Sequence, residues 1–204
     1  MTKKIFVAFL IYFSFTSILF AQSDLVNVWK LDTTITLDIR YATTNNFTGK
    51  QVYEEAKFFL RTEPAQKILE VQKELKTLGL GLKIFDGYRP LSVQKKFWEI
   101  MPDERYVADP KKGSRHNRGA AVDLTLIDKY GNEIPMPTPY DDFTEKASRD
   151  YMNLSSQIII NRKFLEDIMV KYGFTGLPTE WWHFDYTGWE KYDILDVDFK
   201  DIEK

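Results

Sequence analysis

Residues 114–126 have the sequence SRHNRGAAVDLTL, which contains one of the two histidines of the chain and an aspartate seven residues later. Its second half predicts a strand that starts at Ala121. Successive side chains of a strand point to opposite faces, so Asp123 shares a face with small neighbours that leave its carboxylate room for a ligand. His116 lies seven residues earlier, an odd separation, and could not share that face in one unbroken strand. Gly119 supplies the bend that would let His116 return to Asp123.

The sequence EWWH at residues 180–183 contains the second of only two histidines in the chain. Glu180 and His183 are three residues apart, so a continuous strand would place them on opposite faces. Glu180 must therefore lie before the strand proper, and Pro178 is consistent with a turn there. From such a turn the carboxylate of Glu180 can lean over a metal held by His183.

Composition restricts how a metal could be bound. The chain has no Cys, so any metal must be held by His, Asp and Glu, without a disulfide or a thiolate site. Two imidazoles and one carboxylate leave a fourth position open on zinc, and a separate carboxylate can deprotonate water there. This indicates hydrolytic metal chemistry, although the helical HExxH motif is absent. Taken singly, each residue has an alternative: a packed or surface histidine, Asp123 as a cap or ion-pair partner, Glu180 as an exposed charge.

The apolar pattern predicts an α+β fold with a central antiparallel sheet flanked by helices, because strands and helices mix without a regular βαβ repeat. The first helix begins at Thr62, ends at Gly79 and is expected to turn Leu78 inward. The proline-containing stretch 135–142 is expected to be a loop. The predicted strands are 34–41, 82–85, 121–127 and 181–186. Two further helices are predicted: one begins near Ser92, and a separate long helix ends at Tyr172.

The N-terminus predicts export. Residues 1–21 contain two lysines, an apolar run and a small residue at the end, the pattern of a secretory signal peptide, with an uncleaved anchor as the alternative. The remaining residues, 22–204, are expected to form a single domain located in a periplasm or an equivalent compartment. Without its signal the chain has 26 basic and 30 acidic residues, and it has no basic cluster for nucleic acid. No stable membrane insertion is expected after cleavage.

Four ordered motifs give the chain a family resemblance. They are DIRYATTNNFTG at 38–49, DGYRP at 86–90, the 114–126 stretch and EWWH at 180–183. Together they resemble the D-alanyl-D-alanine dipeptidases, which are zinc D,D-dipeptidases. The last two motifs are similar to those of zinc D,D-carboxypeptidases and the hedgehog signalling domain, whereas the first two resemble the dipeptidases specifically. The resemblance implies the zinc fold that these proteins share.

The resemblance also implies a role for individual residues. One Zn²⁺ per chain would be bound by His116, Asp123 and His183. Glu180 would act as general base and then general acid, and Arg89 would stabilise the oxyanion, as suits a fixed guanidinium. Substrate binding is implied for Tyr41, Ser114 and Asp141.

Several alternatives stay open at this point. Arg89 could form a structural ion pair with Asp86, and Asp142 could face the site in place of Asp141. Trp181 and Trp182 are expected in the core or the pocket wall. The implied substrate is a D,D-dipeptide; the rival functions are a D,D-carboxypeptidase or peptidoglycan endopeptidase that acts on longer peptides, or a zinc-stabilised binding module without turnover.

Overall fold

The structure, a computed structural model, describes residues 24–203. The expected signal peptide at 1–21 lies outside this range. Within residues 24–203, no helix combines the length and the apolar character needed to cross a membrane.

Seven strands and five α-helices form the fold of residues 24–203. The strands are β1 (Leu25–Asn27), β2 (Thr36–Leu37), β3 (Phe59–Arg61), β4 (Leu80–Asp86), β5 (Ala121–Asp128), β6 (Phe174–Gly176) and β7 (His183–Tyr186). The helices are α1 (Val28–Leu31), α2 (Thr62–Thr77), α3 (Leu91–Ile100), α4 (Ser156–Lys171) and α5 (Phe199–Ile202). Short 3₁₀ turns lie at Arg40–Ala42, His116–Arg118, Glu145–Ala147 and Trp189–Lys191.

The central sheet confirms the α+β prediction. Its strand order is β2-β4-β5-β7-β6, and a separate antiparallel pair joins β1 to β3. All neighbours in the central sheet are antiparallel except β2, which pairs parallel to β4 at one edge. The antiparallel prediction is therefore wrong at this edge. The crossover through α2 is the reason, because parallel neighbours need a long connection.

The two long helices form where the apolar pattern and the capping residues agree. In α4 the side chain of Ser155 accepts a hydrogen bond from the Ile158 amide and caps the first turn. In α2 one face is buried, and Gly79 follows the helix with a left-handed φ of 71°. Leu78, predicted to face inward, is instead 55% exposed, because it lies beyond the last turn of α2.

The largest difference from the sequence prediction lies at residues 34–41, where the sequence predicts one continuous strand. Only Thr36–Leu37 pair with β4, and the chain then enters the Arg40–Ala42 turn. The backbone carbonyl of Tyr41 accepts hydrogen bonds from the amides of Val52 and Tyr53, which closes the intervening loop. The side-chain amide of Asn46 donates to three carbonyls of this loop, so local polar bonds replace strand pairing.

The sheet brings its chemistry-bearing residues to one end. In register, Asp123 on β5 lies opposite His183 at the start of β7 and opposite Asp86 at the end of β4. Thus the end of β4, the first half of β5 and the beginning of β7 meet at one place. The aromatic and aliphatic core beneath them is continuous, and it includes Trp181 and Trp182.

Candidate active site

Three predicted metal ligands converge at this end of the sheet. Asp123 and His183 face each other across β5 and β7, and both are buried. His116 lies in a 3₁₀ turn that ends at Gly119, whose φ is 66°. This left-handed residue provides the predicted bend between His116 and the strand. In the described part of the chain, these three residues form a group able to hold a metal ion.

The ligand atoms are spaced as zinc requires. Asp123 Oδ1 lies 3.0 Å from His183 Nδ1, His116 Nε2 lies 3.2 Å from His183 Nδ1, and His116 Nε2 lies 3.4 Å from Asp123 Oδ1. Zinc bonds of about 2.0–2.1 Å in tetrahedral geometry separate two ligand atoms by about 3.3 Å. The triangle therefore fits three corners of a zinc tetrahedron and leaves the fourth corner free.

Outer hydrogen bonds fix the ring orientation of both imidazoles. His116 Nδ1 lies 2.7 Å from the Gly87 carbonyl oxygen, and His183 Nε2 lies 2.9 Å from Asp185 Oδ1. When the N–H of each ring points to this acceptor, the other nitrogen has a lone pair toward the metal position. Tyr140 donates its hydroxyl to Asp123 Oδ2 at 2.9 Å. All three ligands therefore have a partner outside the metal position.

Asp185 and Tyr140 are site residues that the sequence reasoning did not identify. Asp185 lies two residues after His183 and therefore on the same face of β7. The period of a strand could have identified it. For Tyr140 the sequence offers no comparable pattern, because it lies in the irregular stretch between β5 and α4.

Glu180 lies in the turn before β7, as predicted, and is buried. Its Oε2 is 4.0 Å from His183 Nδ1, which places a carboxylate beside the metal position but outside the ligand triangle. Burial, with smaller effects from the charges of Asp123 and Asp141, raises its pKa to about 8 against the opposing effect of His183. A carboxylate with such a pKa can both accept and return a proton near neutral pH.

Arg89 forms the ion pair with Asp86 that the sequence analysis gave as an alternative. Its Nε and Nη2 donate to Asp86 Oδ2 at 3.0 and 2.7 Å, and Nη1 donates to Gln94 Oε1 at 2.9 Å. It also lines the same cavity as the ligand triangle. Its guanidinium lies 4.7 Å from the ring centre of Phe97, which further restricts its orientation. The ion pair with Asp86 therefore holds Arg89 in place at the cavity wall.

Asp141, and not Asp142, lies on the cavity wall. Its Oδ1 accepts a hydrogen bond from the Tyr41 hydroxyl at 3.1 Å, and its Oδ2 accepts one from the Phe47 amide at 3.3 Å. Burial and the nearby charge of Asp123 raise the pKa of Asp141 to about 7. Its φ of 61° is a strained backbone geometry for a residue other than glycine, a feature that clusters at functional sites. Asp142 instead accepts a hydrogen bond from the Thr144 amide.

The remaining predicted site residues, Tyr41 and Ser114, also line the cavity, whose volume is about 300 Å³. Ser114 Oγ accepts the His116 amide at 3.2 Å, so this hydroxyl also orders the turn that carries a ligand. Trp182 is part of the wall, whereas Trp181 is buried elsewhere and donates its indole N–H to Thr138. All eight predicted site residues thus surround one cavity.

Comparison with known proteins agrees with this geometry. The family described as D-ala-D-ala dipeptidase matches residues 21–202. The D-alanyl-D-alanine dipeptidase of Escherichia coli K12 is 33% identical, over 85% of this chain and 90% of that protein. The D-alanyl-D-alanine dipeptidase of Enterococcus faecium is also 33% identical, over 72% of this chain and 83% of that protein.

One solved structure, that of the LdcB LD-carboxypeptidase, overlaps 82% of this chain and 70% of its own with 20% identity and a TM-score of 0.45. The two dipeptidases are similar to this chain over most of its length and most of theirs. The match at 21–202 includes every residue of the cavity. The chain belongs to the D-Ala-D-Ala dipeptidase family of metallopeptidases.

Proposed function

We propose that this protein hydrolyses D-alanyl-D-alanine to two molecules of D-alanine. The observation that carries the proposal is the buried triangle of His116, Asp123 and His183 in a cavity that also contains Glu180 and Arg89. Peptidases of this family are zinc-dependent, and the donor set of two imidazoles and one carboxylate suits zinc. His116, Asp123 and His183 would hold the zinc, which would supply Lewis-acid chemistry: polarisation of the scissile carbonyl and a lower pKa for water.

Glu180 is the proposed general base and general acid. It takes a proton from the attacking water and returns it to the leaving amine. Its position 4.0 Å from His183 and its raised pKa support this role, because a catalytic group works best with a pKa near the operating pH.

Arg89 is the proposed oxyanion-stabilising group. A guanidinium has five N–H donors, and the hydrogen bonds to Asp86 and Gln94 use three of them. Donors that are fixed before the reaction stabilise the charge that develops in the transition state without reorganisation. The ion pair with Asp86 supplies that fixation.

Asp141 and Tyr41 are proposed to bind the free amine of the substrate, with Ser114 as a further polar contact. A partly buried carboxylate at the cavity wall distinguishes an ammonium group from an acylated nitrogen, because the acylated substrate would leave the carboxylate unpaired. This favours a dipeptidase over a D,D-carboxypeptidase or an endopeptidase.

An assay with matched substrates tests the function. Purified protein with zinc is incubated with D-Ala-D-Ala, N-acetyl-D-Ala-D-Ala and L-Ala-L-Ala, each with and without a chelator. We expect D-alanine release from the free D,D-dipeptide at least 100 times faster than from the acetylated one, and loss of activity with the chelator. Equal rates on the first two substrates would favour a carboxypeptidase, and zinc binding without any turnover would favour a binding module.

We also propose that the enzyme acts outside the cytoplasm. The lysines and the apolar run at residues 1–21 support export, with cleavage after Ala21. Cell fractionation followed by N-terminal sequencing tests this: we expect periplasmic protein that starts at Gln22. Full-length protein in the cytoplasm would contradict the proposal.

A further inference from the structure

Arg149 connects its own segment of the chain to residues 177–183, which form the turn that carries Glu180. Arg149 lies just after the Glu145–Ala147 turn, and its side chain is only 9% exposed. Nε donates to the Leu177 carbonyl at 2.9 Å, and Nη2 donates to the carbonyls of Trp181 and His183 at 3.0 and 2.8 Å. One guanidinium therefore binds three carbonyls of residues 177–183.

Backbone bonds support the same connection. The Arg149 amide donates to the Pro178 carbonyl at 2.9 Å, and the Trp181 amide donates to the Ala147 carbonyl at 3.0 Å. Within the turn itself, the Glu180 amide donates to the Leu177 carbonyl at 3.2 Å. The conformation of the backbone at Glu180 thus depends on a neighbouring segment that contributes no residue to the ligand triangle.

We propose that Arg149 is a positioning residue, which holds the 177–183 turn so that Glu180 is aimed at the metal position. The inference rests on the proposed function of Glu180. Three carbonyls in fixed directions match the planar, branched donor geometry of a guanidinium, which an ammonium group does not reproduce. Burial makes the loss of these bonds costly, because the carbonyls would be left without a partner.

The surroundings of Arg149 are built to receive it. A Cβ at Gly176 would lie 2.2 Å from Arg149 Cζ, so glycine at this position is what makes room for the guanidinium. The group lies 4.4 Å from the ring centre of Phe184, and its Nη1 lies 3.9 Å from Glu166 Oε2. Among residues 24–203, Nη1 finds no hydrogen-bond partner, so Arg149 is held by the three turn carbonyls and not by a close ion pair.

Arg149→Ala and Arg149→Lys test the proposal. We expect both variants to lower kcat for D-Ala-D-Ala at least tenfold, with KM within about threefold of wild type and one zinc per chain retained. Added guanidinium at millimolar concentration should restore part of the kcat of Arg149→Ala, whereas ammonium should not. In the metal-free protein, amides of 177–183 should exchange with solvent at least tenfold faster.

Gly176→Ala is an independent variant that leaves Arg149 in the sequence. Its new methyl group displaces the guanidinium, so kcat should fall while KM and zinc content hold. Gln72→Ala is the control, because Gln72 is also a buried polar side chain that donates to a carbonyl, here that of Thr34, at the contact of α2 with β4.

Three results overturn the proposal: full kcat in folded Arg149→Ala, unchanged exchange at 177–183, or an equal loss of kcat in Gln72→Ala. Absence of dipeptidase activity in the wild-type protein would instead refute the proposed function. The exchange measurement would still decide whether Arg149 holds the turn.

Discussion

At the scale of residues, the site depends on partners that do not touch the metal position. A histidine binds a metal through a nitrogen lone pair, so the other nitrogen must keep its proton. The Gly87 carbonyl does this for His116, and Asp185 does it for His183. These contacts make two ordinary imidazoles into ligands.

Asp185→Ala should therefore weaken zinc binding. We expect a 10–100-fold loss of zinc affinity, the range found when such an outer partner of a metal-binding histidine is removed. Competition with a chromogenic chelator measures the affinity. Asp142→Ala is the control, since the hydrogen bond of Asp142 goes to the Thr144 backbone. Equal affinities for Asp185→Ala and wild type would contradict the assigned role.

Glu180→Gln separates catalysis from metal binding. Glutamine keeps the size of the side chain but cannot take a proton, so we expect kcat to fall by about 10²–10⁴, the usual contribution of general acid–base catalysis. Zinc content, measured by atomic absorption, should stay at one per chain. A kcat within tenfold of wild type would show that another group is the base.

The raised pKa of Asp141 predicts a pH dependence of stability. An unfolded aspartate titrates near 4, whereas burial raises the folded pKa to about 7. The folded state thus binds the extra proton between these values, and this contribution to stability falls as the pH rises from about 4 to 7. Urea unfolding of the metal-free protein should show a smaller decrease over this range for Asp141→Asn. Identical pH profiles would contradict the prediction.

At the scale of elements, a two-residue period predicted the part of the site that lies in strands. It placed Asp123 on the ligand face, required a bend at Gly119, and put Glu180 before β7. The same pattern failed at residues 34–41, where hydrogen bonds from Asn46 and to the Tyr41 carbonyl close a loop. Periodicity reports which face is apolar, but it does not report which backbone groups find a distant partner.

Periodicity also could not predict the shortest strands or the charged residues that hydrogen-bond to the ligand His183 and to the 177–183 turn. Strands β1, β3 and β6 have three residues each, and only their pairing defines them. Arg149 and Asp185 are charged residues of a common kind, and their roles follow from the three-dimensional positions of the 177–183 turn and His183.

Gly119→Ala tests the bend between His116 and β5. The left-handed φ of 66° costs roughly 1–2 kcal/mol for a residue with a Cβ. The added methyl would also lie 2.6 Å from Leu25 Cδ2 and 3.2 Å from the Arg61 amide nitrogen. We expect a lower free energy of unfolding and weaker zinc binding together, measured by denaturation and chelator competition. Gly131→Ala is the control, with a left-handed φ of 87° in open space; an equal loss of zinc affinity there would contradict the prediction.

At the scale of the whole molecule, the metal position connects three elements of the chain, and the His183 ligand is 60 residues away in sequence from Asp123. These elements are the His116–Arg118 turn, β5 and β7. A ligand that binds only the folded state stabilises it by about 4 kcal/mol when its free concentration is 1,000 times Kd. For a chain of this size that corresponds to a rise in Tm of about 8–16 °C. Calorimetry with zinc, and with magnesium as control, checks this; equal shifts with both ions would contradict a site built from imidazoles.

His116, Asp123 and His183 are proposed to hold one catalytic zinc. The most direct measurement is a titration of metal-free protein with zinc, in which bound metal and D-Ala-D-Ala hydrolysis are recorded in the same samples. We predict that activity rises in proportion to bound zinc and reaches its plateau at one equivalent per chain, and that His116→Ala loses both. Full hydrolysis in rigorously metal-free protein, or tight stoichiometric zinc binding by the His116→Ala variant, would contradict the claim.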